Sequence, residues 1–196
     1  MPEYILSDPK ILSQIKKLQY QHQMPPLALL IIGFLISFLI PYFNLRYVSW
    51  AICLAAIIWY LYVGACFRFR NRIPVPSSDD LLSPLSGRIK QVKSALDSYQ
   101  LVISKHALDT VEIRCPHSSS IWEEDRLKLE FRGNSLSFRF DADSLIKYED
   151  AKMQPGEVIG LLIGKCNCQV ILPRSMPCIL PSHTLCEAGS TPLIPA

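Results

Sequence analysis

Four cysteines near the end of the chain, Cys166 and Cys168 in a Cys-Asn-Cys triplet followed by Cys178 and Cys186, are the residues whose type and spacing come nearest to metal chemistry. Structural zinc sites usually space their thiolates two to four residues apart in a knuckle. A pair separated by one residue inside a strand puts both thiols on one face, and the sequence favours small core residues there over ligands; no metal is expected. His22, His106, His117 and His183 stand beside no obvious Ser or Cys nucleophile with an orienting carboxylate, and solvated loop histidines are the simpler reading. Glu123, Glu124 and Asp125 read as a solvated acidic turn. No glycine-rich loop that could cradle a phosphate is present.

The elements that must position these residues fall into two parts. Pro25–Phe43 and Val48–Phe67 contain no charge, and each is close to the ~20 residues a helix needs to cross a bilayer. Asn44–Tyr47 joins them too tightly for anything but an antiparallel hairpin. Tyr42, Phe43, Tyr47 and Trp50 gather at that turn, and Trp59, Tyr60 and Tyr62 near the other end, as interfacial aromatic belts do. Lys10, Lys16 and Lys17 precede the first run and Arg68, Arg70 and Arg72 follow the second, whereas the turn has only Arg46. The positive-inside rule then places both termini in the cytoplasm, with a bacterial inner membrane as the expected location. The same three arginines could meet anionic lipid headgroups, although setting topology is their simpler role. Residues 1–24 are expected to hold a cytoplasmic or interfacial helix, with Ile11, Leu12, Ile15 and Leu18 on one side. No secretory signal peptide is read at the start, because the first apolar run begins after about two dozen residues with no small-residue cleavage site.

After a linker over 68–80, residues 81–196 change to short apolar stretches divided by turns. Strands are expected at Gly87–Val92, Gln100–Ser104, Thr110–Cys115, Leu127–Phe131, Ser135–Phe140, Val158–Ile163 and Cys168–Leu172, with a hairpin turning at Gly133-Asn134. Prolines at 173, 177, 181, 192 and 195 forbid a long terminal helix. The fold class is therefore α+β: a two-helix transmembrane hairpin followed by a mostly β barrel or sandwich. The seven cysteines form no regular disulfide framework. The net charge of +3 gives no reason to expect a nucleic-acid partner.

Several stretches, in order, resemble the short, membrane-anchored phosphatidylserine decarboxylase family. Phe67-Arg-Phe-Arg-Asn-Arg-Ile-Pro74 is similar to that family's FFRDPxRxxP segment after its anchor, and Ser83-Pro-Leu-Ser-Gly-Arg-Ile89 to SPxDGxV. Leu108-Asp-Thr-Val-Glu-Ile-Arg-Cys-Pro116 is similar to LDVHVNRAP. Gly156-Glu-Val-Ile-Gly160 through Val170-Ile-Leu-Pro173 is similar to GExxGxxxFGSxVxxxLP, and Ala188 through Pro195 to the terminal AGETxxA. The resemblance implies a precursor whose Gly-Ser serine attacks the preceding peptide bond and becomes an N-terminal pyruvoyl group. That group serves as electron sink for decarboxylation, and an aspartate and a histidine assist self-cleavage.

This chain departs at each of those positions. Ser86 stands for the aspartate and Val111 for the histidine. Lys165-Cys166 stands for Gly-Ser, or Gly164-Lys165 if the register slips by one. Gly189-Ser190 offers another site of cleavage near the end of the chain. The expectation is a decarboxylase-like pseudoenzyme without a pyruvoyl cofactor, acting as a binding or assembly module. Its partners would be membrane lipids and another protein or a second copy, the small-xxx-small pair Gly33 and Ser37 letting helices approach. The alternative is an active pyruvoyl-dependent decarboxylase, making phosphatidylethanolamine after cleavage at Cys166 or Ser190.

Overall fold

The computed structural model describes residues 9–39, 43–70, 79–94, 98–148, 153–176 and 180–194. The chain divides into two compact units, Met1–Arg68 and Phe69–Ala196. Most of the expected linker, and with it Arg72, lies outside the described residues, as does Cys178.

The first unit is two helices, α1 (Pro9–Leu39) and α2 (Phe43–Cys66), both long and apolar enough to cross a membrane. Only 17% of each apolar window is buried. Ile31, Phe34, Leu35 and Phe38 on α1, and Trp50, Leu54, Ile58 and Leu61 on α2, are exposed. A core hairpin of a soluble protein would cover such faces, and within this unit they are left open. Two boundaries differ from expectation. The N-terminal helix is not separate from the first span: α1 runs on past residue 24, through Pro25 and Pro26, where the first span was expected to begin. Packing against α2 carries the helix across them, since Gln23 Nε2 reaches the Tyr60 carbonyl at 3.4 Å and the His22 ring meets Phe67 at 5.3 Å. Asn44–Tyr47, expected as the connection, lies instead within the start of α2, and residues 40–42 lie outside the described ones.

The helices meet along small residues. Ser49 Oγ donates to the Gly33 carbonyl, Cys53 Sγ lies 3.9 Å from the Leu30 carbonyl, and Ser49, Cys53 and Ala56 are buried. Gly33 thus faces α2, and Ser37 is buried with its hydroxyl returned to the Phe34 carbonyl at 2.7 Å. The small-xxx-small pair serves the hairpin.

The second unit is mostly antiparallel sheet. Its strands are β1 (Leu81–Leu82), β2 (Gly87–Ser94), β3 (Ser98–Lys105), β4 (Glu112–Arg114), β5 (Ile121–Glu123), β6 (Arg126–Phe131), β7 (Asn134–Lys147), β8 (Val158–Pro173), β9 (Leu185–Cys186) and β10 (Pro192–Ile194). Eight of them form one sheet along β5-β6-β7-β8-β3-β2-β9, with β4 joined to β8; β1 and β10 make a separate ribbon. The sheet does not close into the expected barrel. Its ends are β5 and β9, only three and two residues long, which offer too little backbone to pair with each other.

The hairpin of β6 and β7 turns on Arg132 and Gly133, both with positive φ, one residue earlier than expected. Alternation buries Leu127, Leu129, Phe131, Leu136, Phe138 and Phe140 in a core shared with Leu101, Ile103, Cys168 and Val170. The two strands expected at Val158–Ile163 and Cys168–Leu172 are one sixteen-residue strand, β8. Its first half pairs with β4 and the end of β7; its second half pairs with β3 and the start of β7.

Candidate functional site

The exchange of partners along β8 happens at Gly164 and Lys165. Both lie opposite a single residue of β7, between Ala142 and Ser144, which makes a β-bulge. Gly164 has φ +86°, a conformation that glycine adopts without the Cβ penalty of other residues. A second bulge interrupts the β2–β3 ladder, where Ile89 faces Ile103 and Gln91 faces Val102, leaving Lys90 as the extra residue. The two bulges therefore present two lysines.

Between them one row of outward positions runs across five strands: Leu185 on β9, Arg88 on β2, Ser104 on β3, Asn167 on β8 and Asp141 on β7. This row floors an open groove of about 570 Å³ that adjoins a second hollow of about 240 Å³. Asp109 and His183 line the larger hollow and Lys165 the smaller, while Lys90 and His106 border both. His183 is held at φ +72° by a hydrogen bond from its N–H to the Ile89 carbonyl at 2.7 Å. Asp109 Oδ2 accepts the His106 N–H at 2.6 Å.

Beneath the floor, alternation turns Lys105 and Cys166 inward as cross-strand partners. Lys105 is only 2% exposed, and its Nζ donates to the Gly164 carbonyl at 2.9 Å and the His106 carbonyl at 3.3 Å. Burial pushes the Cys166 thiol up to about 11, although the Lys105 cation opposes that rise. At neutral pH the sulfur is a thiol, and the thiolate is the nucleophilic form.

The other positions singled out by the sequence lie in a neighbouring polar cluster. Thr110 Oγ1 donates to Ser86 Oγ at 3.0 Å, and the Ala188 N–H donates to the same oxygen at 3.1 Å. Val111 is buried, and its carbonyl accepts the Leu162 N–H at 2.7 Å. Glu112 and Arg114, next along, are also buried. Burial pushes the Glu112 carboxyl up; its own N–H and the Arg114 cation pull it back. Arg114 donates to the Gly156 carbonyl and to the Arg70 carbonyl, each at 2.8 Å.

Arg70, read as lipid-facing, spends its guanidinium on Glu187 at 2.9 Å with both side chains about half exposed. Arg68 is exposed at the end of the first unit. Ser190 is exposed in a turn after Gly189, whose φ is +65°. Cys166 and Cys168 share the inward face as expected and join Cys186 in the core. Among the described residues no group of three His, Cys, Asp or Glu could hold a metal ion.

The structure thus joins Ser86 to the residue before Val111, and places Lys165 and Cys166 on a separate bulged strand. Sequence reasoning missed the groove. It also missed Lys105, although Leu101, Ile103 and Lys105 occupy alternate positions of one strand and so share its inward face. The chain matches no family model, no curated protein and no solved structure.

Proposed function

We propose that the chain is a membrane-anchored, phosphatidylserine decarboxylase-like protein that does not process itself and works as a binding or assembly module. The observation that carries this reading is the backbone at Gly164. A glycine in the left-handed region fits the glycine of a Gly-Ser cleavage pair, and the residue after it is Lys165. Lysine has no hydroxyl to attack the preceding carbonyl. In the other register the nucleophile is Cys166, a buried thiol pushed up to about 11. Neither register has its matched base, because Val111 is an alkyl side chain sealed in the core. Ser86 carries no charge and bonds to a threonine hydroxyl.

In this reading both termini are cytoplasmic in a bacterial inner membrane. The exposed apolar faces of α1 and α2 meet lipid or a partner protein's helices, and Arg68 and Arg72 meet headgroups. Intact mass of the purified protein tests the absence of processing. A single species at 22.2 kDa is expected. Two chains, the smaller beginning at residue 166 or 190 with a blocked N-terminus, would overturn it.

A second reading, an active decarboxylase, draws on Gly189. Its left-handed conformation, open to glycine, precedes an exposed serine whose hydroxyl is the group a self-cleaving Gly-Ser pair needs. Release of a short piece beginning at Ser190 would favour it.

A further inference from the structure

We propose that the groove over Arg88, Ser104 and Asn167 is a binding site for a phosphate-bearing anion. The inference goes beyond the reading above and does not depend on it, since the groove is a property of the outward sheet face, whatever becomes of the chain at Lys165.

Charge is the first argument. Among the described side chains, Arg88, Lys90, Lys105 and Lys165 line the two adjoining hollows against two carboxylates, Asp109 and Asp141. Four cations against two anions leave a local charge of +2, in a chain whose entire net charge is +3. Asp109 is already engaged by the His106 N–H. A concave surface of one sign concentrates counter-charged ligands.

Position is the second argument. A solvated charge on a regular strand points where the pleat sends it. Lys90 and Lys165 are instead at the two bulges, which re-aim side chains and gather beside functional sites. Lys105 holds the β8 bulge from below through the Gly164 carbonyl, so the backbone that presents Lys165 is fixed. His183, on the facing loop, is fixed in a left-handed conformation that only a few per cent of non-glycine residues adopt.

Donor number is the third. Arg88, Lys90 and Lys165 present charged N–H groups, and Ser104, Asn167 and the two imidazole rings add further donors. A carboxylate has two oxygens to share among them; a phosphate monoester has three non-bridging oxygens and carries more charge. The larger hollow has room for a headgroup-sized molecule attached to that phosphate.

The same chemistry could arrive as a soluble phosphate or as a phospholipid headgroup, and the test separates the two. The full chain is purified in dodecyl maltoside, which contains no phosphate, and titrated calorimetrically with inorganic phosphate against a chloride control of equal ionic strength. Saturable binding is expected. The double variant Arg88→Gln/Lys90→Gln should weaken it about tenfold or more, as loss of charge-assisted hydrogen bonds does. Both side chains are exposed, so the variant should keep the wild-type circular dichroism and melting curve. Lys165→Gln, at the other bulge, should weaken binding in the same direction. Phosphatidic acid, whose headgroup is a phosphate monoester, is then added to the micelles to identify the source: competition with phosphate assigns the groove to a headgroup, and unchanged phosphate binding assigns it to a soluble ligand. Absence of saturable binding by the wild-type chain, or equal binding by the folded double variant, overturns the proposal. Intact mass is read separately, so a cleaved chain that binds phosphate and an intact chain that does not are distinct results.

Discussion

Lys105 Nζ lies 2.9 Å from the carbonyl oxygen of Gly164, an ammonium buried beneath the bulge that redirects β8. Burying a cation is costly unless it is well bonded, and here its partners include two backbone carbonyls. Lys105→Met keeps the length of the side chain but leaves both carbonyls without that donor. We expect a loss of about 1–3 kcal/mol, the scale of hydrogen bonds to charged groups, partly offset by relief of desolvation. Chemical denaturation of the full chain in detergent measures it. An unchanged or raised midpoint would show that the buried charge contributes nothing net.

The thiol across the ladder from Lys105 should be inert. With Cys166 raised from 9.0 to about 11, its thiolate fraction near neutral pH is about 100-fold lower than an unperturbed cysteine's. Maleimide labelling followed by peptide mass spectrometry should find Cys166 unmodified in the folded chain and modified after denaturation. Rapid labelling in the folded chain would contradict both its burial and its assignment as a non-nucleophile. Because Lys105 holds the thiol down, Lys105→Met should raise it further, not lower it.

Glu112 makes a signed prediction about pH. Burial, its largest influence, raises the folded-state pKa, so in the folded chain the carboxyl holds its proton more tightly than in the unfolded chain. Its contribution to stability is complete below the unfolded value of about 4.3 and is lost as pH rises through the raised folded value. Glu112→Gln should flatten the fall in melting temperature over that interval. The same slope in the variant as in the wild type would locate the titrating group elsewhere.

Topology can be read with an introduced thiol, since the six described cysteines are all buried. Glu124 sits exposed in the tight turn between β5 and β6, and Glu124→Cys should leave the fold intact. In intact cells an impermeant maleimide should label this position only after permeabilisation. Labelling from outside would reverse the orientation drawn from Lys16, Lys17 and Arg68.

The parts of the fold legible in the sequence were those where one local rule acted alone. Absence of charge marked α2, and alternation with Gly133-Asn134 marked the β6–β7 hairpin to within one residue. Misreadings came where tertiary contacts overrode a local signal. Pro25 and Pro26 read as a boundary, yet α1 continues because Gln23 and His22 have partners on α2. Gly164 read as the gap between two strands, whereas it is the bend inside one. Strand β5 was hidden because Glu123 opens the acidic run, and the turn itself is only Glu124 and Asp125. At the candidate site, Cys166 and Ser86 could be singled out through a resemblance. The groove could not, because Arg88, Lys90 and Lys165 come together only through the order of strands, which no spacing encodes.

That strand order also sets a timetable. A chain leaves the ribosome from its N-terminus, so β2 and β3 are made early and can pair as a hairpin. The partner for the other edge of β3 is β8, which begins about fifty residues later, and β1 waits longer still for β10. Through that interval Leu101 and Ile103 have no core to enter, and an unpaired edge stands open to any neighbouring strand. The nascent β unit is thus most vulnerable to misassociation in the interval between β3 and β8, and the emergence of β8 ends that exposure.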